Sequence, residues 1–148
     1  MPSTYTSLYY HLVFSTKERA PFIHPSWQER LHGYLGGIVR DLGGIPTEIN
    51  GVRDHVHLLV SLKPTHAVSD VLRQLKTGSS EWVHNEIKQH EFSWQDGYSA
   101  FTVSPTQISG VRKYIRTQAD HHKKKTFKEE YLELLKKSGV AFDEKYLW

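Results

Sequence analysis

The order in which strand-like and helix-like hydrophobic patterns follow one another constrains the fold of this chain more than any other feature. Residues 8–15 (LYYHLVFS) alternate with a period of two, which predicts a strand rich in aromatic and aliphatic side chains. Apolar residues then recur at helical spacing over 27–42. Strand patterns return over 45–52 and 55–62, so a hairpin is predicted there.

The second half of the chain continues with one more helix, one more strand and two C-terminal helices. The patterns predict a helix over 64–87, a strand over 98–103, a helix over 104–122 and a last helix over 127–137. A short tail ending in Trp148 follows.

The predicted order, β-α-β-β-α-β, is that of the ferredoxin-like (RRM-like) split βαβ arrangement, an α+β fold. It consists of a four-stranded antiparallel sheet with two helices on one face, here followed by C-terminal helices. A length of 148 residues is typical of one domain, so residues 1–148 are predicted to form a single domain. Because RNA-binding modules, metal carriers and enzymes share this fold, the fold alone does not give the function.

Composition excludes several classes of protein. The chain contains no cysteine, which excludes disulfide scaffolds and cysteine–zinc sites. It has no apolar run of the roughly 20 residues that a membrane helix needs. Residues 1–7 do not combine a charged region with an apolar run, so no signal peptide is expected. We therefore expect a cytoplasmic protein with no membrane partner.

The positive charge of the chain is confined to one short segment. The net charge is +3, but residues 112–125 alone carry six Lys/Arg and one Asp, whereas 1–111 and 126–148 each have a net charge of −1. A localised basic segment is typical of proteins that bind a polyanion such as nucleic acid. The alternative is a solvated helix end, where lysines interact favourably with the helix dipole.

Two histidines are candidates for metal binding. His55 and His57 are one residue apart on a predicted strand, so both side chains project to one face, while Val56 projects to the other. Two adjacent imidazoles can bind one divalent metal ion. With ten histidines in the chain, such a pair can arise by chance, and its weight comes from its position directly after a turn.

Tyr114 and Gln118 are the second candidate pair. Their i, i+4 spacing places both on one face of the predicted helix. A tyrosine can act as a nucleophile through a covalent intermediate, and an amide oxygen is a suitable ligand for Mg²⁺ or Mn²⁺. The alternative is that Tyr114 is a partly buried residue of an amphipathic helix.

The combination of these motifs resembles the small single-tyrosine HUH transposases. This family comprises insertion-sequence transposases that move single-stranded DNA and the REP-associated tyrosine transposases. HUH denotes histidine, a bulky hydrophobic residue and histidine, which here is His55-Val56-His57. The family tyrosine and glutamine match Tyr114 and Gln118 within YIRTQADHH, and YYHLVFSTK is similar to the first strand of the family. The matches follow the family order and extend over essentially the whole chain.

The resemblance implies a mechanism and a set of partners. His55, His57 and Gln118 would hold one Mg²⁺ or Mn²⁺ ion, and Tyr114 would attack single-stranded DNA and remain joined to the 5′ phosphate. The enzyme would cleave and rejoin DNA at hairpin ends of a mobile element. It would act as a homodimer in which the tyrosine helix of one subunit can complete the site of the other. It would lie in a bacterial or archaeal cytoplasm, associated with the nucleoid.

Basic residues near the predicted site are candidate DNA contacts, namely Lys17, Arg19, Arg53, Arg73, Lys76, Lys123, Lys124 and Lys125. His121 and His122 lie near the predicted site but outside the predicted catalytic set, and His11 is predicted to make a polar contact on the sheet. Two other functions stay open at this point. One is a catalytically silent protein of the same fold that binds hairpin DNA or RNA, and the other is a metal-dependent hydrolase that uses water.

Overall fold

A computed structural model describes residues 3–146, so Met1, Pro2 and the end of the predicted tail, with Trp148, lie outside the described residues. Its main elements in chain order are β1 (Tyr9–Ser15), α1 (Pro25–Asp41), β2 (Ile45–Gly51), β3 (His55–Ser61), α2 (Val68–Trp82), β4 (Ser99–Val103), α3 (Ile108–Arg116), α4 (Gln118–His121) and α5 (Phe127–Lys137). None of the helices within residues 3–146 is both long and apolar enough to cross a lipid bilayer.

The four strands form one antiparallel sheet in the order β2-β3-β1-β4. β1 and β3 therefore occupy its centre, and β1 places Val13 opposite His57 and Leu12 opposite Leu58. This topology is that of the ferredoxin-like fold and confirms the fold class predicted from the sequence.

Helices α1 and α2 cover one face of the sheet. Leu12, Phe14, Val56 and Leu58 alternate onto this face and are fully buried in the main hydrophobic core, together with residues of both helices. Burying a side chain of this size contributes about 1.5–3 kcal/mol to stability. This core fixes the central strands whose opposite side carries the histidine pair.

The C-terminal helices cover the other face. Val13 packs there against Phe127, Tyr131 and Leu135 of α5, while Leu59 packs with Ile115 of α3 in a separate cluster. Because side chains alternate along a strand, His55 and His57 lie on this same face, beneath helices formed by residues much later in the chain.

Two predicted helices differ from the observed elements. The helix predicted over 104–122 is interrupted at Thr117, which separates α3 from α4 with φ −102° and ψ 27°. The Thr117 hydroxyl donates to the Lys113 carbonyl oxygen at 2.9 Å, and such a bond to the preceding turn bends helices. The helix predicted over 64–87 begins only at Val68, and a π-helical turn over Val83–Ile87 follows its end at Trp82.

Candidate active site

The histidine pair lies at the start of β3, on the face of the sheet that the C-terminal helices cover. His55 and His57 are both fully buried, and the His55 ring stacks on Phe127 of α5 with a centroid distance of 3.8 Å. The turn before β3 is closely packed, since a Cβ atom at Gly51 would lie 2.2 Å from the His55 carbonyl oxygen. The strand and the turn together fix the position of both imidazoles.

Each imidazole of the pair is oriented through its Nδ1 atom. His55 Nδ1 donates to Asp54 Oδ1 at 2.7 Å, and His57 Nδ1 lies 2.8 Å from His11 Nε2, with one of these two rings donating to the other. The His11 contact is the polar contact that the sequence predicts for this residue. Contacts of this kind fix the ring orientation of metal-binding histidines, and here both Nε2 atoms face the same central region.

Burial keeps two of these imidazoles neutral. Burial, with smaller contributions from neighbouring imidazoles, lowers the pKa of His11 to about 3 and that of His57 to about 4, although Glu130 acts in the opposite direction. His57 is therefore neutral at pH 7, which is the state that a metal-binding histidine requires.

Gln118 reaches the histidine pair from α4. It is fully buried, and its Oε1 atom lies 3.1 Å from His55 Nε2 and 3.2 Å from His122 Nε2. Its Nε2 atom donates to Glu130 Oε2 and to the Tyr114 carbonyl oxygen, each at 3.4 Å. The break at Thr117 thus does not separate Gln118 from Tyr114.

Tyr114 points from α3 toward the same histidines. Its ring centroid lies 5.7 Å from that of His57 and 6.1 Å from that of His11. Burial, the charge of Glu130 and a hydrogen bond with its carboxylate raise the pKa of Tyr114 well above its usual value. The phenol is therefore protonated at neutral pH and needs activation before it can act as a nucleophile.

Helix α3 is attached to the β2 edge of its own sheet. Arg112 and Arg116 both reach Glu48 Oε1, at 3.4 Å and 3.1 Å, and Asn50 Nδ2 donates to the Arg116 carbonyl oxygen at 2.9 Å. Exposed ion pairs of this kind each contribute only about 0–1 kcal/mol. Two of the cations in the basic segment, Arg112 and Arg116, therefore make contacts within the molecule.

Glu130 is the residue of this cluster that the sequence analysis missed. Its side chain on α5 is 4% exposed, and its Oε1 atom lies 3.1 Å from His57 Nε2, 3.4 Å from His122 Nε2 and 3.6 Å from His55 Nε2. Burial raises its pKa, but hydrogen bonds from His122 and His57 together hold the pKa of Glu130 well below its usual range. It is therefore a buried carboxylate among imidazoles.

The residues of the cluster fit a divalent metal ion. Ligand atoms of His55, His122 and Glu130 all lie within 4.8 Å of one another. Gln118 Oε1 is in contact with two of these groups. Imidazole nitrogens combined with amide and carboxylate oxygens are ligands that Mn²⁺, Mg²⁺ and related ions accept.

Several of the predicted DNA contacts lie beside this cluster. Arg19, Arg53 and Lys125 line a cleft of about 410 Å³ with Asp54 and Phe127. Three more candidates are exposed, namely Lys17 in the 3-10 helix Lys17–Arg19 and Lys123 and Lys124 in the turn that follows α4. The cleft therefore places cationic side chains at the edge of the histidine cluster.

Two predicted DNA contacts lie on the other side of the sheet. Lys76 of α2 donates to the carbonyl oxygens of Gln95, Asp96 and Gly97 at 2.5, 3.1 and 2.9 Å. Arg73 pairs with Asp70 on the surface of the same helix at 3.3 Å. The structure does not bring these two residues to the histidines.

A family model for IS200-like transposases matches residues 4–118 of this chain. The chain belongs to the IS200-like transposase family. The matched segment contains His55, His57, Tyr114 and Gln118, whereas Glu130 lies beyond its end. Membership identifies this IS200-like transposase as a DNA-processing enzyme and confirms the resemblance found in the sequence.

Individual relatives agree with this assignment. The ISDra2 transposase TnpA of Deinococcus radiodurans R1 is 29% identical over 119 residues, which cover 76% of this chain and 85% of the relative. A 1.90 Å crystal structure of a D. radiodurans R1 protein assigned as a transposase matches with a TM-score of 0.64 and 24% identity, over 80% of this chain and 95% of that one. A REP-associated tyrosine transposase bound to a REP hairpin matches with a TM-score of 0.62 and 13% identity, over 82% and 73%. The two structures support the fold of this IS200-like transposase.

Proposed function

We propose that this transposase cleaves and rejoins single-stranded DNA at the ends of a mobile element, with Tyr114 as the nucleophile. The observation that supports the proposal is the convergence of Tyr114, Gln118 and the histidine pair on one face of the sheet. His55 and Gln118 are 63 residues apart in the chain, yet their side chains are in direct contact. A purely structural role would not require a tyrosine, an amide and two imidazoles at one point.

His55, His57 and Gln118 would hold one Mg²⁺ or Mn²⁺ ion. When bound, such an ion polarises the scissile phosphate and stabilises the departing 3′ oxygen. Asp54 and His11 would keep the two imidazoles oriented for this role through their Nδ1 contacts.

In the cleavage step, the Tyr114 oxygen forms a bond to phosphorus and loses its proton. The bond between phosphorus and the 3′ oxygen breaks, and that oxygen acquires a proton. Because the tyrosyl ester retains the energy of the broken bond, a 3′ hydroxyl group can later reverse the attack and join two strands without ATP. Cleavage and rejoining then need only one site.

The proposed DNA partner is a single strand with hairpin ends. A REP hairpin is the ligand of the REP-associated relative that shares this fold. Arg19, Arg53 and Lys125 would contact the phosphate backbone from the cleft beside the histidines, with Lys123 and Lys124 nearby. The proposed active form is a cytoplasmic, nucleoid-associated homodimer, with the tyrosine helix docked on its own sheet or on that of the partner.

The experiment that tests this function detects a covalent adduct. The purified protein is incubated with labelled single-stranded hairpins tiled from the DNA that flanks its own gene, in Mg²⁺ or Mn²⁺. Denaturing gels are then examined for a band at the combined mass of protein and oligonucleotide. We expect a metal-dependent adduct that disappears with chelator and in Tyr114→Phe. The matched control is Tyr34→Phe, since Tyr34 stacks on Trp82 away from the histidines and should be dispensable.

One observation favours a second candidate, a hairpin-binding protein without catalysis. His55, His57 and Gln118 are all fully buried beneath the C-terminal helices, so a DNA phosphate cannot reach them without a movement of those helices. Binding without adduct formation, with DNA that contains the element ends, would establish this second function. Cleavage that survives in Tyr114→Phe would instead assign the chemistry to a metal-activated water.

A further inference from the structure

Three atoms that can bind a metal ion lie close together at the centre of the histidine cluster. His55 Nδ1 donates to Asp54 Oδ1 at 2.7 Å, so Nε2 is the ring nitrogen that faces the centre of the cluster. This nitrogen lies 3.1 Å from Gln118 Oε1 and 3.6 Å from Glu130 Oε1. Imidazole nitrogens and amide and carboxylate oxygens that converge in a buried site are potential ligands of one metal ion.

The spacing of these atoms is that of ligands around one ion. Two ligands at right angles, each about 2.1 Å from Mg²⁺ or Mn²⁺, are about 3.0 Å apart. Glu130 Oε1 lies 3.1 Å from His57 Nε2 and 3.6 Å from His55 Nε2, and Gln118 Oε1 lies 3.1 Å from His55 Nε2. The carboxylate therefore occupies a position that matches a coordination sphere shared with the predicted ligands.

Glu130 is also held in this position by its own helix. The side chain is 4% exposed on α5, where Phe127 stacks on His55 and Tyr131 packs against Val13. These contacts place α5 directly over the histidine pair. Its carboxylate accordingly faces the Nε2 atoms rather than solvent.

We propose that Glu130 is a further metal ligand of this site, supplied by α5 from outside the segment that the family model matches. The inference rests on the proposed function, because it concerns the same metal ion. It adds a negative charge to a set of otherwise neutral ligands, which strengthens the binding of a hard divalent cation. In the competing assignment, Glu130 is not a metal ligand but a buried counter-ion of His122, whose Nε2 atom lies 3.4 Å away.

Mn²⁺ binding by the metal-free protein distinguishes the two assignments. Free Mn²⁺ is measured by its electron paramagnetic resonance signal during a titration, without DNA. Glu130→Gln retains the shape of the side chain but removes its charge, and we expect its dissociation constant for Mn²⁺ to rise about tenfold or more. A value within about twofold of the wild type, the range expected of a remote surface charge, would overturn the proposal.

The matched control for this titration is Glu133→Gln. Glu133 lies one turn later on the same helix, is 49% exposed and pairs with Lys125 at 2.6 Å. The substitution removes the same charge from the outer side of α5, so Mn²⁺ affinity should stay within about twofold of the wild type. An equal loss in both variants would show a general charge effect and contradict ligation by Glu130.

A measurement on the wild type keeps the proposal testable should Glu130→Gln fail to fold. If Glu130 binds the ion, Mn²⁺ should slow hydrogen–deuterium exchange of α5 amides around residue 130. Unchanged or faster exchange in α5 would mean that the ion does not bind this helix, and would overturn the proposal. Failure of the proposed function is recognised separately, by the absence of a Tyr114-dependent adduct in the wild type.

Discussion

At the scale of single residues, Gly51 shows how little space surrounds the histidine strand. A Cβ atom there would lie 2.2 Å from the His55 carbonyl oxygen and 2.9 Å from Val56 Cα, and both are backbone atoms. Gly51→Ala must therefore shift the β2–β3 turn. We expect it to lower the free energy of unfolding by about 1–3 kcal/mol, measured by urea denaturation.

Gly110→Ala provides the control for this prediction. Gly110 lies inside α3, and a Cβ atom there would have no atom of the described part of the chain within 4 Å. Alanine is the better helix former, so the free energy of unfolding of this variant should rise by about 0.5–1 kcal/mol. Equal destabilisation by both substitutions would contradict the explanation by close approach at Gly51.

The sequence predicts some residues of the cluster and not others, for a physical reason. The pairs His55/His57 and Tyr114/Gln118 each have a spacing that points both members to one side of a regular element. Glu130 has no such partner, and its burial results from the docking of α5 on the sheet. A signal was present nonetheless, because Glu130 lies three residues after Phe127 and four before Leu134, on the apolar face of the helix.

At the scale of elements, the stability of α5 depends on the hydrogen bonds of its first turn. The Thr126 hydroxyl accepts from the Glu129 amide at 3.2 Å, and Glu129 Oε1 accepts from the Thr126 amide at 3.4 Å, which forms a capping box. Thr126→Ala should destabilise the helix by about 1 kcal/mol. We expect faster hydrogen–deuterium exchange of the α5 amides.

Thr126→Ser retains the capping hydroxyl and should exchange like the wild type. If the serine variant exchanged as fast as the alanine variant, the effect would come from the lost methyl group and not from the cap. The same comparison reports how firmly α5 covers the histidine pair.

Element order is predictable from hydrophobic periodicity because strands and helices bury side chains with different periods. The interruption of the helix at Thr117 cannot be predicted in this way, because the apolar residues before and after Thr117 keep helical spacing. It depends on the hydroxyl contact with Lys113 and on the docking of Gln118 against His55, and the latter requires the tertiary structure.

At the scale of the whole molecule, buried histidines make stability depend on pH. Burial lowers the pKa of His11 to about 3 and the pKa values of His32 and His57 to about 4. Between pH 6.5 and 4.5 the unfolded chain therefore binds protons at these residues that the native protein does not, and stability falls as the pH falls. The raised pKa of His122 adds no slope in this window, because its contribution is already complete below pH 6.5.

We expect each of these histidines to account for about 1–2 kcal/mol of lost stability at pH 5, measured by urea denaturation in the presence of chelator. His32 lies away from the histidine pair, and its buried Nε2 atom has no hydrogen-bond partner among residues 3–146, so His32→Leu tests this histidine alone. The free energy of unfolding of this variant should decline less steeply between pH 6.5 and 4.5 than that of the wild type. An unchanged slope would mean that His32 is not protonated on unfolding.

The residues that meet at the histidine cluster leave the ribosome at different times. Glu130 follows His57 by 73 positions. At about 5–20 residues per second, roughly 4–15 seconds of synthesis separate them. A nascent chain thus carries its imidazoles without the helix that covers them. A translation product that stops before Phe127 lacks both the ring that stacks on His55 and the Glu130 carboxylate, so the cluster is completed only in a chain that has been translated through α5.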